Sequence, residues 1–454
     1  MERLQADYLV IGAGAMGMAF TDVLVTETEA TVVLVDRRHR PGGHWNDAYP
    51  FVRLHQPSSF YGVNSLQLGN NTIDAQGWNQ GLYELATNSE VCAYYDHIMQ
   101  RQFLPSGRVR YFPVCEYRGE GRFVSLLSGD EYEVDAGKTV DATYMDVTIP
   151  AVSPAPFEVA DGVHCAPLND LPRFAGRFER HVVIGAGKTG MDACLFLLAH
   201  DTPPESITWI MPRDSWILDR ANIQPGGRFA DGLPRILEAQ MRAIAGAEDT
   251  DDLFDRVNAA GQLVRLDPHV RPTMYRCATV TQAELEQLRR IGDVVRLGHV
   301  VRIEPETIVL EDGTVPTSAK TLHVHCAADG LARRPSVPVF DGDAITLQAV
   351  RTCQQVFSAA FTAHVEATIE DEAEKNRICT PVPHPYTDID YLRTTLADSN
   401  NLMRWMMNEE LAQWLRSSRL DPFTAAPGED VPEIDPAPFL AALPKLERLL
   451  AEAG

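Results

Sequence analysis

Lysine is scarce in this chain. Only Lys138, Lys188, Lys320, Lys375 and Lys445 occur among 454 residues, and arginine supplies the rest of the 40 basic side chains. Against 63 acidic residues the formal net charge is −23. That balance argues against nucleic acid and against an anionic membrane surface, both of which select a basic face. Closely spaced cysteines are missing too. Cys92, Cys115, Cys165, Cys194, Cys277, Cys326, Cys353 and Cys379 are scattered, with no CxxC. No disulfide scaffold or zinc ribbon is expected, and reduced thiols in a cytoplasm are. No apolar run reaches the ~18 residues of a membrane span. The run over residues 9–20 is interrupted by three glycines and has only Arg3 as a basic leader, so it does not read as a signal peptide. GxSxG and HExxH motifs are missing, and His323 and His325 have no third ligand close in sequence, so no metal site is expected.

What the chain has is apolar material, 45% of residues against 23% charged. That is enough for cores in two or three domains. Residues 7–11 (DYLVI) form a short apolar run suited to a buried parallel strand. Gly12-Ala13-Gly14-Ala15-Met16-Gly17 follows at once, residues 18–25 read as a helix, and residues 31–35 as a second strand closed by Asp36. This is a βαβ unit. A second one returns later: strand 181–184, Gly185-Ala186-Gly187-Lys188-Thr189-Gly190, helix 191–199, strand 206–211, then Pro212-Arg213.

Between the two units, residues 140–150 resemble a strand leaving one domain, and the Pro-rich stretch 150–157 a linker. Residues 214–290 read as mostly helical, 233–245 and 281–290 most clearly. Residues 294–313 alternate like strands around an Asp-Gly turn, and 322–326 read as a returning strand. Residues 400–420 and 438–453 read as helices.

Each glycine of the first cluster has a physical task in dinucleotide binding. Gly12 permits the tight turn, Gly14 lets backbone approach a pyrophosphate, and Gly17 lets the helix pack on the strand. The helix N-terminus turns free N–H groups toward phosphate. Asp36, with Arg37 beside it, stands where an adenosine ribose is bound. The second cluster, Gly185, Gly187, Lys188, Thr189 and Gly190, meets the same test, but Arg213 replaces the acid. A guanidinium pairs with a 2′-phosphate that a carboxylate would repel, which favours NADPH over NADH. Arg220 is a further phosphate candidate. Two dinucleotide sites in one chain imply cofactors that exchange electrons, and FAD in the first with NADPH in the second is the usual order in two-dinucleotide flavoproteins.

GAGAMG, VVLVDRRHRPGGHW and YPFVRLHQPSSFYG, taken with GAGKTG, resemble the class B flavoprotein monooxygenases, the flavin-containing monooxygenase and Baeyer–Villiger superfamily. The resemblance covers residues 7 to about 335. It implies an α/β fold of two Rossmann-like dinucleotide-binding domains with a helical C-terminal region. Residues 1–150 would start the FAD domain. Residues 151–325 would bind NADPH and carry a helical insertion at about 214–290. Residues 326–454 would return to the FAD domain and end in helices.

The Gly42-Gly43-x-Trp45 step implies a loop along the flavin, with Gly43 and Trp45 lining it and Gln56 near its ring system. A core role is the other reading of Trp45. Gln56, Ser58 and His55 are the candidates beside the flavin, and no general acid or base is assigned. The histidine of the family's FxGxxxHxxx(Y/W) fingerprint is matched by His164, but the glycine spacing differs and Leu168 stands at the aromatic position. His55 stands where Baeyer–Villiger enzymes carry an aspartate, which speaks against ketone oxygenation and for the heteroatom-oxidising branch or a biosynthetic tailoring enzyme.

The resemblance implies a monooxygenase that uses molecular oxygen through a flavin C4a-(hydro)peroxide on a small organic substrate. A reductase, dehydrogenase or oxidase without oxygen insertion, and a non-catalytic FAD-binding protein, are the alternatives. Disulfide reductases share two dinucleotide domains but send electrons to a cysteine pair, and the chain has no CxxC for that purpose. A homodimer is compatible with all of these. The segment 381–386 reads as an active-site loop or a rigid connection. Trp405, Met406, Met407 and Trp414 read as pocket or as core.

Overall fold

Leu9 and Val10 are wholly buried because the strand Glu2–Ile11 is central to its sheet. It pairs in parallel with Val32–Val35 on one side and Glu131–Asp141 on the other. A strand covered on both faces carries a continuous apolar run rather than alternation. Val109–Phe112 extends this sheet beyond Val32–Val35, and Ala344–Thr346 extends it beyond Glu131–Asp141, both in parallel. A hairpin of Cys115–Gly119 and Arg122–Ser125 folds back antiparallel onto Glu131–Asp141. The helix Ala15–Glu27 is buried along most of its length because Gln355–Thr368 packs against it. The computed structural model describes residues 1–422 and 436–453, except 175, 230, 231 and 329.

The second βαβ unit builds a second sheet. Its order is Asp293–Val295, Ile207–Ile210, Arg180–Ile184, Thr321–His325, Cys165–Pro167, and every neighbouring pair is parallel. The helix Lys188–Ala199 follows the central strand. The expected α/β architecture with two Rossmann-like units is therefore present, and Ala344–Thr346 adds to the first sheet. The Asp312-Gly313 turn joins Thr307–Leu310 to Gly313–Pro316 as expected.

Two expectations are corrected. The strand expected over 140–150 ends at Asp141. There the Asp141 carboxylate accepts from the Thr143 amide at 2.7 Å and from its hydroxyl at 2.6 Å. That local turn draws the chain off the sheet. The insertion is helical over Gly232–Gly246 and Gln282–Leu288 as expected, but it also holds a sheet that was not expected. Ser215–Asp219 pairs with Leu263–Val264 and in parallel with Met274–Val280, forming a three-stranded sheet. Its core stacks Trp216 on Phe254 at 5.1 Å between ring centres. The helices Gly232–Gly246, Thr250–Ala259 and Gln282–Leu288 belong to the same region. The last helix, Pro436–Ala453, packs on Gly232–Gly246 and on Asp388–Met406.

Trp405 and Trp414 pack around Phe361 in the main core, with Met406 and Met407 exposed. The pocket reading of these four residues does not hold. Among the described residues, no helix is long and apolar enough to cross a membrane.

Candidate functional site

Both glycine turns open into one cavity of about 1770 Å3, at the C-terminal ends of both sheets. Ile11, Val35, Met211 and Cys326, each at or just past a strand end, line it. The two turns are built alike. Gly12 N donates to Val35 O at 2.8 Å, and Gly185 N donates to Ile210 O at 3.0 Å. A Cβ on Gly17 would lie 1.9 Å from Gly12 O, and one on Gly190 would lie 2.1 Å from Gly185 O. The third glycine of each cluster is thus required by helix-on-turn packing. Gly187 is different. Its backbone is extended (φ −78°, ψ −176°) and no protein atom lies within 4 Å of an added Cβ. The protein itself does not need glycine there, yet the position lines the cavity, as the close approach of a pyrophosphate requires.

Asp36 ends the second strand, buried, with its carboxyl pushed up by that burial. One of its oxygens accepts from Ala13 N at 2.6 Å and the other from Arg38 N at 2.7 Å. Each oxygen keeps a lone pair for a further donor. Arg37 is mostly exposed and pairs with Glu116 at 3.4 Å. Gly43 crosses Gly14 so closely that a Cβ on it would stand 2.9 Å from Gly14 Cα. This crossing brings Trp45 to the cavity wall, where its Nε1 donates to the Tyr61 hydroxyl at 2.7 Å. Trp45 is also part of the main core, so its core reading holds, while one face of it lines the cavity.

Residues 10–63 match the family of NAD(P)-binding Rossmann-like domains. Uncharacterized proteins of Mycobacterium bovis and of two strains of Mycobacterium tuberculosis are each 58% identical to this chain over 421 residues, 92% of this chain and 78% of theirs. The chain belongs to their family. Among solved structures, closed cyclohexanone monooxygenase is similar at 15% identity and a TM-score of 0.48, over 99% of this chain and 97% of that one. Oxidized steroid monooxygenase bound to NADP is similar at 14% identity and a TM-score of 0.49, over 80% and 85%.

In this member of the family the second turn is flanked by charge. Lys188 opens the helix after Gly187, and its ammonium is engaged by the Asp192 carboxylate. Thr189 lines the cavity beside it. Arg213 lies past the end of Ile207–Ile210, as expected, and is bonded to the Tyr386 hydroxyl. Arg276 and Arg333 also lie over the Tyr386 ring, at 4.6 and 3.5 Å from its centre, with Arg213 at 4.8 Å. Three guanidinium groups around one aromatic ring make this wall positive. Arg276 and Arg333 come from distant segments and carry no local motif, so sequence reasoning missed them. The loop holding His384 and Tyr386 is part of this wall, which favours its functional reading.

Gln56 and His55 reach the cavity; Ser58 does not. The Ser58 hydroxyl donates to Glu84 O at 2.9 Å and accepts from Ala86 N at 2.8 Å, fully buried. Its proton and an acceptor site are spent on backbone, which corrects its place beside the flavin. Arg220 is likewise not a phosphate ligand. It is wholly buried, pairs with Glu284 at 2.9 Å and donates to His55 O at 2.9 Å and to Asn79 at 3.1 Å. Its effect is to hold the His55 backbone. Burial, with Lys188 and Arg220 nearby, pushes His55 down to about 3.

The eight cysteines are not all unpaired. Cys277 and Cys353, 76 positions apart, form a disulfide with 6.4 Å between Cα atoms. Both line the cavity.

Proposed function

We propose that the protein is an FAD- and NADPH-dependent oxidoreductase that oxygenates a small organic substrate in the shared cavity. Gly187 carries the nucleotide part of this reading, because its missing Cβ has no use inside the protein and an evident one toward a pyrophosphate. Gly12, Gly14, Asp36 and Gly43 would hold FAD, with Trp45 and Gln56 along it. Gly185, Gly187, Thr189 and Arg213 would hold NADPH. Together these cofactors supply hydride transfer to the flavin and a reduced flavin able to react with oxygen.

The chain's own residues orient and shield. The Gln354 amide donates to Gln56 at 3.2 Å and so aims the Gln56 side chain. The wall near the first turn is apolar at Met16, Val52 and Leu54, which keeps water away from the reacting centre. The Gly42-Gly43-His44-Trp45 step supports a flavin at the first site, and the arginines around Tyr386 support a 2′-phosphate at the second.

The visible spectrum of the purified protein tests the reading. FAD absorbance that bleaches with NADPH under nitrogen, and product oxygen traced to labelled O2 on aeration, are expected. A preparation that neither contains nor takes up FAD overturns it. A reductase that inserts no oxygen is the second reading, favoured by the cysteine pair on the cavity wall.

A further inference from the structure

Cys277 and Cys353 differ from the other cysteines by position. Cys92, Cys115, Cys194, Cys326 and Cys379 are buried free thiols, and burial pushes each of them up, away from thiolate. The disulfide is only half-buried and faces the cavity. Both of its residues have φ +57°, a left-handed backbone that non-glycine residues rarely adopt. Cys277 sits where the pairing of Ser215–Asp219 with Met274–Val280 slips register, a bulge that aims its side chain off the sheet. Cys353 lies two residues before the helix Gln355–Thr368.

The pair also flanks the segment assigned to the flavin. Thr279, two residues past Cys277, donates to the His55 carbonyl. Gln354, next to Cys353, donates to Gln56 at 3.2 Å.

We infer that the Cys277–Cys353 disulfide is redox-active, taking two electrons from a flavin reduced in the first site and delivering them to a small disulfide that enters the cavity. The inference rests on the FAD and NADPH part of the reading above and not on oxygen. The Sγ–Sγ bond breaks as two electrons and two protons reach it from the reduced flavin, which returns to its oxidised form. One Sγ, as thiolate, then attacks the small disulfide, forms a mixed disulfide and expels one thiol. The second Sγ closes the Cys277–Cys353 bond and expels the other. Net, NADPH, one proton and one disulfide become NADP+ and two thiols. The chain thereby does without a CxxC what a disulfide reductase does with one.

The test is an anaerobic NADPH titration of the FAD-loaded protein, with iodoacetamide labelling of Cys277 and Cys353 read by peptide mass at each point. Expected are labels that appear only after NADPH, full bleaching at about two equivalents per flavin rather than about one, and loss of labelling after hydroxyethyl disulfide is added. Cys353→Ser should bleach with about one equivalent and lose about 100-fold or more of hydroxyethyl disulfide-dependent NADPH oxidation. If that variant does not fold, the labelling of the unaltered protein still decides. Bleaching at about one equivalent with both cysteines unlabelled overturns the inference and leaves the flavin reading intact. So do cysteines already labelled before NADPH. Flavin that NADPH does not bleach overturns the nicotinamide assignment; photoreduction of the flavin in the same cuvette then decides the pair by the same labels.

Discussion

The Tyr49 hydroxyl donates a 2.6 Å hydrogen bond to one oxygen of Asp192, whose other oxygen engages the Lys188 ammonium. One residue of the first domain thus fixes the charge at the mouth of the second. Lys188 and Asp192 side chains are 14% and 12% exposed, so each depends on the other. Lys188→Met leaves the Asp192 carboxylate with the Tyr49 hydroxyl but no counter-charge and should cost about 3 kcal/mol. Urea unfolding checks this, and a loss below about 0.5 kcal/mol would show the pair to be solvated.

The two glycines that flank Lys188 and Thr189 should respond in opposite ways. Gly190→Ala drives a methyl into Gly185 O and should destabilise the fold by about 3 kcal/mol. Gly187→Ala meets no protein atom and should melt like the unaltered chain. It should nevertheless weaken NADPH about tenfold or more, or ~1.4 kcal/mol. Calorimetric melting beside fluorescence titration separates the two effects. Equal NADPH affinity in Gly187→Ala would remove the pyrophosphate from that turn.

Arg213→Ala should weaken NADPH about tenfold or more while changing NADH little, since only NADPH carries the 2′-phosphate. The measurement is the ratio of the two dissociation constants at one salt concentration. An unchanged ratio would shift the phosphate to Arg276 or Arg333.

His55 carries a pH signature. Its folded value of about 3 lies below the ordinary 6.5. Between those values the unfolded chain binds a proton that the folded chain does not. His55 therefore costs stability progressively as pH falls from 6.5 toward 3, and nothing extra above 6.5. His55→Gln should flatten the dependence of unfolding free energy on pH in that window by up to about 1.4 kcal/mol per pH unit. Urea midpoints for both proteins at about pH 4.5 and about pH 6.5 give the comparison. Parallel lines would mean that His55 is protonated in the folded chain.

The two βαβ units were legible because strand, glycine turn and helix are contiguous and each glycine has a local steric reason. The sheet inside residues 214–290 was not. Its strands Ser215–Asp219 and Met274–Val280 are five and seven residues long, lie among amphipathic helices, and pair across more than fifty intervening positions. Arg220 looked like Arg213 in sequence, and only folding shows one against Glu284 and the other on the cavity wall. Ser58 looked like a flavin neighbour because Gln56 stands two residues before it, but its backbone partners lie near residue 85. The disulfide left no local trace at all, for a separation of 76 residues obeys no spacing rule.

Ala344–Thr346 and the helix Gln355–Thr368 complete a sheet and a helix pair begun by Glu2–Ile11 and Ala15–Glu27. The order of synthesis is therefore not the order of completion. On the ribosome the N-terminal unit emerges first but waits, one sheet edge and one helix flank bare, while the second unit emerges and closes its own strands. A gene truncated after residue 150 would encode an exposed seam, and one lacking residues 151–325 would take from the last helix its Gly232–Gly246 partner and from Cys353 its bonded cysteine.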